Sequence, residues 1–371
     1  MGGRANYVAG KRDVSDVRGG HPGGASAWDN QARAAGCDVG GYNVTVSQAN
    51  TQYDSKDNFV CGTYETRIQN PRTTRRSTGA LCEGAGYFQM SSRFAKPLPP
   101  INAAQILKAH GLRADKSLGQ NFLQDPYALE KIVNAAEITP NDTVLEVGPG
   151  LGALTRHLAA AARQVIAVEL DGRLLPPLRE AVSGYTNITI VQGDMLKISP
   201  AEIIRVPDYL VVANIPYYIT SALLRHLLET TPRPRRVVLT VQKEVADRIC
   251  ASPPDMSLLS LSVQVYGVPR VAAVIPAGAF HPAPKVDSAV VRIDLSPAPF
   301  IPYTLLDTFF ALVKAGFGQK RKTLRNSLSA GMWKPPAEIE ATLRAAGIDP
   351  MRRAETLSLD EWRELTARYA G

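Results

Sequence analysis

No stretch of about 18 consecutive apolar residues occurs in the 371 positions, so no membrane-spanning helix is expected. Cysteine is scarce. There are four, Cys37, Cys61, Cys82 and Cys250, and no Cys-x-x-Cys pair. That excludes a disulfide-built secreted fold and the common zinc patterns. No secretory signal pattern opens the chain, which points to a cytoplasmic protein. The five histidines are scattered, and no metal site is expected among them. His110, His157 and His226 read as surface or helix-capping residues, and Cys250 as a small core residue. Acidic residues number 34 against 42 lysines and arginines, and the formal charge of +8 favours an anionic partner.

Leucine is almost missing from the first 95 residues. Leu81 stands alone there, while 14 of the 29 glycines fall in the same stretch. Leu, Ile, Val and Phe together number 12, too few to bury a core. Residues 1–95 are therefore expected to be a disordered or spurious extension, with Met90 a plausible alternative start. Eight acidic residues in that stretch disfavour a transit peptide.

Beyond residue 101 the text becomes regular. Leu129, Ile132, Val133 and Ala136 recur at helical spacing. Short β-branched runs at 143–147, 164–169, 188–192, 209–214 and 237–242 alternate with helical patterns near 153–162, 171–182, 219–229 and 243–251. This alternation predicts an α/β fold with a parallel, Rossmann-like sheet covered on both faces. Two more strands are expected near 268–275 and 287–294. The Pro176-Pro177 pair interrupts a helical pattern and is expected to kink it. Prolines 297, 299 and 302 mark a boundary, after which the pattern is helical only. The expected organisation is an extension over 1–95, a catalytic domain over 96–298 and a small all-helical domain over 299–371.

The first strand runs into Gly148-Pro149-Gly150-Leu151-Gly152 and then a helix. Glycines there allow a sharp turn and close backbone approach to a ligand. Glu169 ends the next strand, where a carboxylate can accept both hydroxyls of a ribose. With Ala153 the loop also fits a looser dinucleotide fingerprint, so either a nicotinamide cofactor or S-adenosylmethionine suits it. Asp194 closes the third strand, placed to meet an exocyclic adenine amine. The fourth strand ends in Asn214-Ile215-Pro216-Tyr217. The amino nitrogen of adenine is a poor nucleophile, because its lone pair is delocalised into the ring. The Asn214 side-chain oxygen and the Ile215 carbonyl can accept its hydrogens and stabilise charge developing on nitrogen. Pro216 stiffens the turn and removes a competing N–H. Tyr217 offers a flat face to a splayed-out base.

These segments resemble, in order, the bacterial small-subunit rRNA adenine dimethyltransferase family of class I methyltransferases. The resemblance extends over residues 101–371. It is carried by Lys116-Ser117-Leu118-Gly119-Gln120-Asn121-Phe122-Leu123, the glycine loop, Val168-Glu169-Leu170-Asp171, Gly193-Asp194-Met195-Leu196 and Asn214-Ile215-Pro216-Tyr217-Tyr218. Phe280-His281-Pro282-Ala283-Pro284-Lys285-Val286-Asp287-Ser288 and Lys320-Arg321-Lys322-Thr323-Leu324-Arg325-Asn326 complete it. The resemblance implies S-adenosylmethionine as methyl donor, with no metal. The implied substrate is a pair of adjacent adenosines in a hairpin loop near the 3′ end of 16S rRNA, within a small-subunit precursor particle, and the implied state is a monomer. It places Asn121 and Leu123 near the methionine part of the donor, Gly148 and Gly150 beneath it, Glu169 on its ribose and Asp194 at its adenine. Asn214 would meet both donor and target amine, and Phe280 would help Tyr217 pack the target base. The link at 251–255 and the first 95 residues depart from the family pattern.

Lys320, Arg321, Lys322 and Arg325, with Lys314 nearby, read as an RNA-phosphate surface. Arg233, Arg235 and Arg236 form a second cluster that fits RNA contact and solvated surface equally. Rival functions are a 23S rRNA adenine methyltransferase of the resistance type, a non-catalytic RNA-binding assembly factor, a DNA adenine methyltransferase and a nicotinamide oxidoreductase. The 320–326 segment favours the small-subunit enzyme over the first. Intact Asn214, Pro216 and Tyr217 argue against lost turnover. The lack of a large target-recognition domain and of a proton-shuttling His or Tyr-Lys pair disfavours the last two.

Overall fold

The computed structural model describes residues 98–371 in full, and the backbone of three strands nearer the N-terminus, β1 (Asn43–Tyr53), β2 (Phe59–Asn70) and β3 (Thr73–Cys82). These three pair antiparallel in chain order. They were not expected from a stretch so poor in large apolar residues. The rest of residues 1–97, and with it most of the expectation of a disordered extension, lies outside the described residues. The chain divides into two compact units, 1–95 and 96–371.

In the second unit a two-residue strand β4 (Phe122–Leu123) precedes the main sheet. The main sheet contains β5 (Thr143–Val147), β6 (Gln164–Glu169), β7 (Ile188–Gln192), β8 (Leu210–Asn214), β9 (Arg236–Gln242), β10 (Gly267–Ile275) and β12 (Ser288–Leu295). Its order is β10-β12-β9-β8-β5-β6-β7. The five strands from β5 to β9 run parallel, while β12 and β10 are antiparallel additions at one edge. β5 leads to β6 and β7 on one side, and the chain then returns to place β8 on the other side of β5. That reversal opens a crevice at the C-terminal ends of β5 and β8, where such sheets hold ligands. Every residue of β5 is buried, as suits a strand covered on both faces.

The helices follow from local chemistry. Asp125 caps the helix Pro126–Ala136 by accepting from the Ala128 N–H at 2.8 Å, with Pro126 in its first turn. Pro176 and Pro177 do not interrupt a helix midway. A short 3-10 turn, Gly172–Leu174, leads into the helix Leu175–Ala181, and both prolines fall in its first turn, where no N–H is required. The helix Leu258–Gln264 was not foreseen, because its Leu-Ser-Leu-Ser alternation reads as a strand. Reciprocal hydrogen bonds between Ser257 and Ser260 cap it and start the helical turn. His157 differs from its expected surface position: it is buried in the helix Ala153–Ala161, and burial pushes its imidazole down to about 4.

Arg233, Arg235 and Arg236 are committed to internal contacts. Arg235 grips Asp142 through two nitrogens at 2.9 and 3.0 Å. Arg236 binds Asp294 and the Ala136 carbonyl. Arg233 donates to the Pro297 carbonyl and lies 6.0 Å from the ring centres of Tyr266 and Tyr303. This cluster is structural and offers little to an RNA.

The C-terminal helices Leu306–Phe317, Leu324–Met332, Pro336–Ala345 and Leu359–Ala370 share one apolar core with the sheet. Phe309, Leu312, Leu343 and Trp362 are fully buried in it. The first two helices touch so closely at Gly331 that an added Cβ would lie 2.5 Å from Ala315 Cβ. Among the described residues no helix is long and apolar enough to cross a membrane. Gly331→Ala is expected to force these helices apart and cost about 1–3 kcal/mol of unfolding free energy in urea. Wild-type stability would mean that the crossing widens freely.

Candidate active site

The expected residues Asn121, Leu123, Gly148, Gly150, Glu169, Asp194, Asn214, Pro216 and Tyr217 all line one cavity at the C-terminal ends of β5 to β8. Its floor is the glycine loop. Gly150 has φ +57°, and a Cβ there would meet the Phe122 ring at 3.0 Å, so this position admits only glycine without distortion. The same residue donates its N–H to Glu169 Oε2 at 2.9 Å. The other Glu169 oxygen accepts the Asp171 N–H at 2.8 Å. Glu169 is thus held rigidly at the end of β6. Burial pushes its carboxyl up, and the Asp171 and Gly150 amides pull it back.

Glu146 is the functional residue that the sequence reading passed over. It lies in β5, two residues before Gly148, and lines the same cavity at 1% exposure. Its Oε2 has no hydrogen-bond partner. Burial pushes the carboxyl up to about 8; the Thr155 hydroxyl opposes that rise and the nearby Glu169 charge adds to it. The available signal was an acidic residue at a fixed spacing before the glycines, hidden inside an apolar strand.

The roof is the segment from Leu118 to Leu123. Asp115 anchors its approach, and Ser117 together with Arg173 holds the Asp115 carboxyl down to about 2. Gln120 donates to Asp171 at 2.9 Å, and Arg173 bridges Asp171 and Asp115 at 2.7 and 2.9 Å. Asp194, after β7, accepts the Leu196 N–H at 3.0 Å. At the end of β8, Asn214 Nδ2 donates to the Asn121 carbonyl at 3.2 Å. A carbonyl can only accept, so this contact fixes the amide orientation. Asn214 Oδ1 makes no hydrogen bond among the described residues and remains an acceptor for a ligand. Tyr217 begins a 3-10 turn, and its hydroxyl meets Ser288 Oγ at 2.7 Å. Burial pushes that phenol up, and the Ser288 contact moderates the rise.

Phe280 stands apart from the lining. It is 4% exposed and pairs through its backbone with Leu123, in the strands β4 and β11 (Phe280–His281). Lys320, Arg321 and Lys322 lie exposed in the turn after the helix Leu306–Phe317 and form no ion pair among the described residues. Arg325 differs, because Glu340 holds its guanidinium at 3.0 Å.

The lining contains Glu146, Glu169 and Asp194 and no Lys, Arg or His. A dinucleotide would bring its pyrophosphate against those carboxylates. S-adenosylmethionine, with an ammonium and a sulfonium, suits such a lining better, and the Glu146 Oε2 that lacks a protein partner could accept from the ammonium once Glu146 ionises. Among the described residues no set of three or more His, Cys, Asp or Glu side chains converges as metal ligands.

Comparisons with known proteins follow this geometry. A family model described as ribosomal RNA adenine dimethylase matches residues 111–370. The ribosomal RNA small subunit methyltransferase A of Dehalococcoides mccartyi (strain CBDB1) is 50% identical over 271 residues, which cover 72% of this chain and 93% of that protein. The protein of the same name from Lysinibacillus sphaericus (strain C3-41) is 43% identical over 276 residues, 72% and 94% of the two chains. Among solved structures, the 23S rRNA methyltransferase ErmE superposes with a TM-score of 0.57 at 32% identity, covering 68% of this chain and 100% of that one. A dimethyladenosine transferase from Plasmodium falciparum gives 0.57 at 27% identity, covering 66% and 95%.

The buried Glu146 carboxyl yields a pH test. Its folded-state value of about 8 lies above the ordinary 4.5, so the folded chain holds a proton there that the unfolded chain releases. Wild-type stability should therefore fall as pH rises between those values, and Glu146→Gln should not share that fall. Urea midpoints at about pH 5 and pH 8 should show the variant gaining on wild type as pH rises. A difference independent of pH would show that this carboxyl ionises normally.

Proposed function

The chain belongs to the ribosomal RNA adenine dimethylase family, and from that premise we propose that it dimethylates the N6 amino groups of two adjacent adenosines. The proposed substrate is a hairpin loop near the 3′ end of 16S rRNA in a small-subunit precursor particle, and the proposed donor is S-adenosylmethionine. The observation that carries this reading is Asn214. Its amide is fixed by the Asn121 carbonyl, which leaves Oδ1 free to accept from a ligand in a largely apolar cavity whose charged lining residues, Glu146, Glu169 and Asp194, are all acidic.

When bound, S-adenosylmethionine supplies a methyl on a sulfonium sulfur, which keeps the S–C electron pair as the new N–C bond forms. Its cationic part would draw the proton from Glu146, so that Glu146 and Glu169 together give it negative surroundings. Asn214 Oδ1 and the Ile215 carbonyl accept the amine hydrogens, favour charge build-up on N6 and orient its lone pair. A proton then leaves N6 for solvent, so no side chain need act as a strong base. Pro216 contributes no N–H that would compete with the amine. Tyr217 gives the extruded base a face to stack on. Lys320, Arg321 and Lys322, exposed and free of ion pairs, supply phosphate contacts, and Lys314 extends them. Arg325 can join only by leaving Glu340.

The 23S rRNA reading draws on the match to ErmE at 32% identity, while relatives named for the small subunit reach 50%. Labelled donor offered separately to under-methylated small and large subunits is expected to mark adenosine in the small one alone. Label in large subunits would select the other reading.

Asn214→Ala is expected to lower kcat at least about 100-fold with RNA affinity nearly intact. A loss under about tenfold would remove Asn214 as the principal amine acceptor. Lys320→Glu combined with Arg321→Glu should weaken rRNA binding and flatten its log–log salt slope by about one to two. An unchanged slope would place the RNA surface elsewhere.

A further inference from the structure

The side chain of Tyr217 is held at both ends of the residue. Thr220 Oγ1 donates to the Tyr217 carbonyl at 3.0 Å, which fixes the backbone turn. At the far end of the ring, the phenol oxygen meets Ser288 Oγ at 2.7 Å. Backbone contacts alone leave χ1 and χ2 free to rotate, and a hydrogen bond at the phenol oxygen removes that freedom. Ser288 is itself immobile. It is the first residue of β12, opposite Gln242 of β9, and is fully buried. The preceding Asp287 accepts the Ala277 N–H through Oδ1 at 2.9 Å and the Lys243 N–H through its carbonyl at 3.0 Å. A hydroxyl at such a position costs stability unless it is bonded, and its side-chain partner here is Tyr217, which lines the cavity together with Tyr218.

We propose that Ser288 is a positioning residue, whose hydroxyl holds the Tyr217 ring in the orientation against which the target adenine packs. The proposal rests on the reading of Tyr217 as the base platform. Its consequence falls on the second transfer. A monomethylated amine is bulkier and has one hydrogen fewer to hold it, so it depends more on a platform that does not tilt. A loosened ring therefore slows the second methylation more than the first.

The experiment follows kcat, KM for S-adenosylmethionine and the ratio of monomethyl- to dimethyladenosine on under-methylated small subunits. Ser288→Ala, Tyr217→Phe and the double variant are compared with wild type. Ser288→Ala is expected to lower the rate of the second transfer by about tenfold, raise the monomethyl fraction and leave KM for the donor unchanged. Tyr217→Phe should do the same, and the double variant should be no worse than either single one. Wild-type rates and product ratios in Ser288→Ala overturn the proposal, as do losses that multiply in the double variant. If Ser288→Ala fails to fold, Tyr217→Phe alone decides, and a wild-type product ratio overturns it. Tyr217→Ala separates the two layers. Full activity there removes the platform itself, whereas lost activity beside an unaffected Ser288→Ala removes only the role of Ser288.

Discussion

Two carboxyl groups buried in one cavity without a cationic side chain beside them set its electrostatics. Glu146 and Glu169 sit on adjacent parallel strands, and among the described residues no Lys, Arg or His lines the space they face. Such a pair destabilises an empty protein, which is why burial pushes both carboxyls up. Glu146 meets that cost by keeping its proton, and a cationic ligand would let it ionise. The backbone accommodates one of the two: the Gly150 and Asp171 amides bond Glu169 and leave the glycine loop no freedom to move away. Glu146 receives no such help at Oε2, and burial keeps its carboxyl protonated up to about pH 8. A lining whose charged residues are all acidic thus favours a cationic ligand over an anionic one.

The end of β8 works by orientation. An amide side chain presents an acceptor and a donor that differ only by rotation about its last bond. The Asn121 carbonyl resolves that ambiguity by demanding the donor. The same roof segment that covers the cavity therefore decides which atom of Asn214 faces the ligand. Gln120 and Arg173 tie that segment to Asp171, next to Glu169. Glu169 and Asn214 are consequently joined through one hydrogen-bonded assembly.

Much of this was legible in the residues. Glycines, Glu169, Asp194 and Asn214 fall at strand ends, where a parallel sheet exposes its ligand face, and the alternation of strands and helices located those ends to within a residue or two. Glu146 was not legible, because an acidic residue inside an apolar strand carries no periodic signature; only its depth in the fold gives it meaning. The Arg233, Arg235 and Arg236 cluster misled for the opposite reason. Three neighbouring cations look like a surface, but their partners, among them Asp142 and Asp294, are dozens of residues away in sequence and become visible only when the sheet closes. The helix Leu258–Gln264 escaped because its cap overrides a strand-like alternation.

The same logic explains where the net positive charge acts. A charge of +8 spread over the surface would steer any anion weakly. In the fold, many arginines are neutralised by close carboxylates, as Arg292 is by Glu137 and Asp294, and Arg352 by Glu361. What remains for a polyanion is concentrated where pairing is absent, and the turn holding Lys320, Arg321 and Lys322 is such a place. That turn joins two helices locked together at Gly331 and packed into the core shared with the sheet. Its cations therefore stand on a rigid mount within the same body as the cavity. An RNA held there by its phosphates would reach the acidic cavity only with an uncharged group, and a nucleobase extruded from its stack is the part of RNA that carries no phosphate. Under the proposed reading the cavity and the basic turn would be complementary: one would repel the backbone that the other would attract, leaving the base as the portion able to enter.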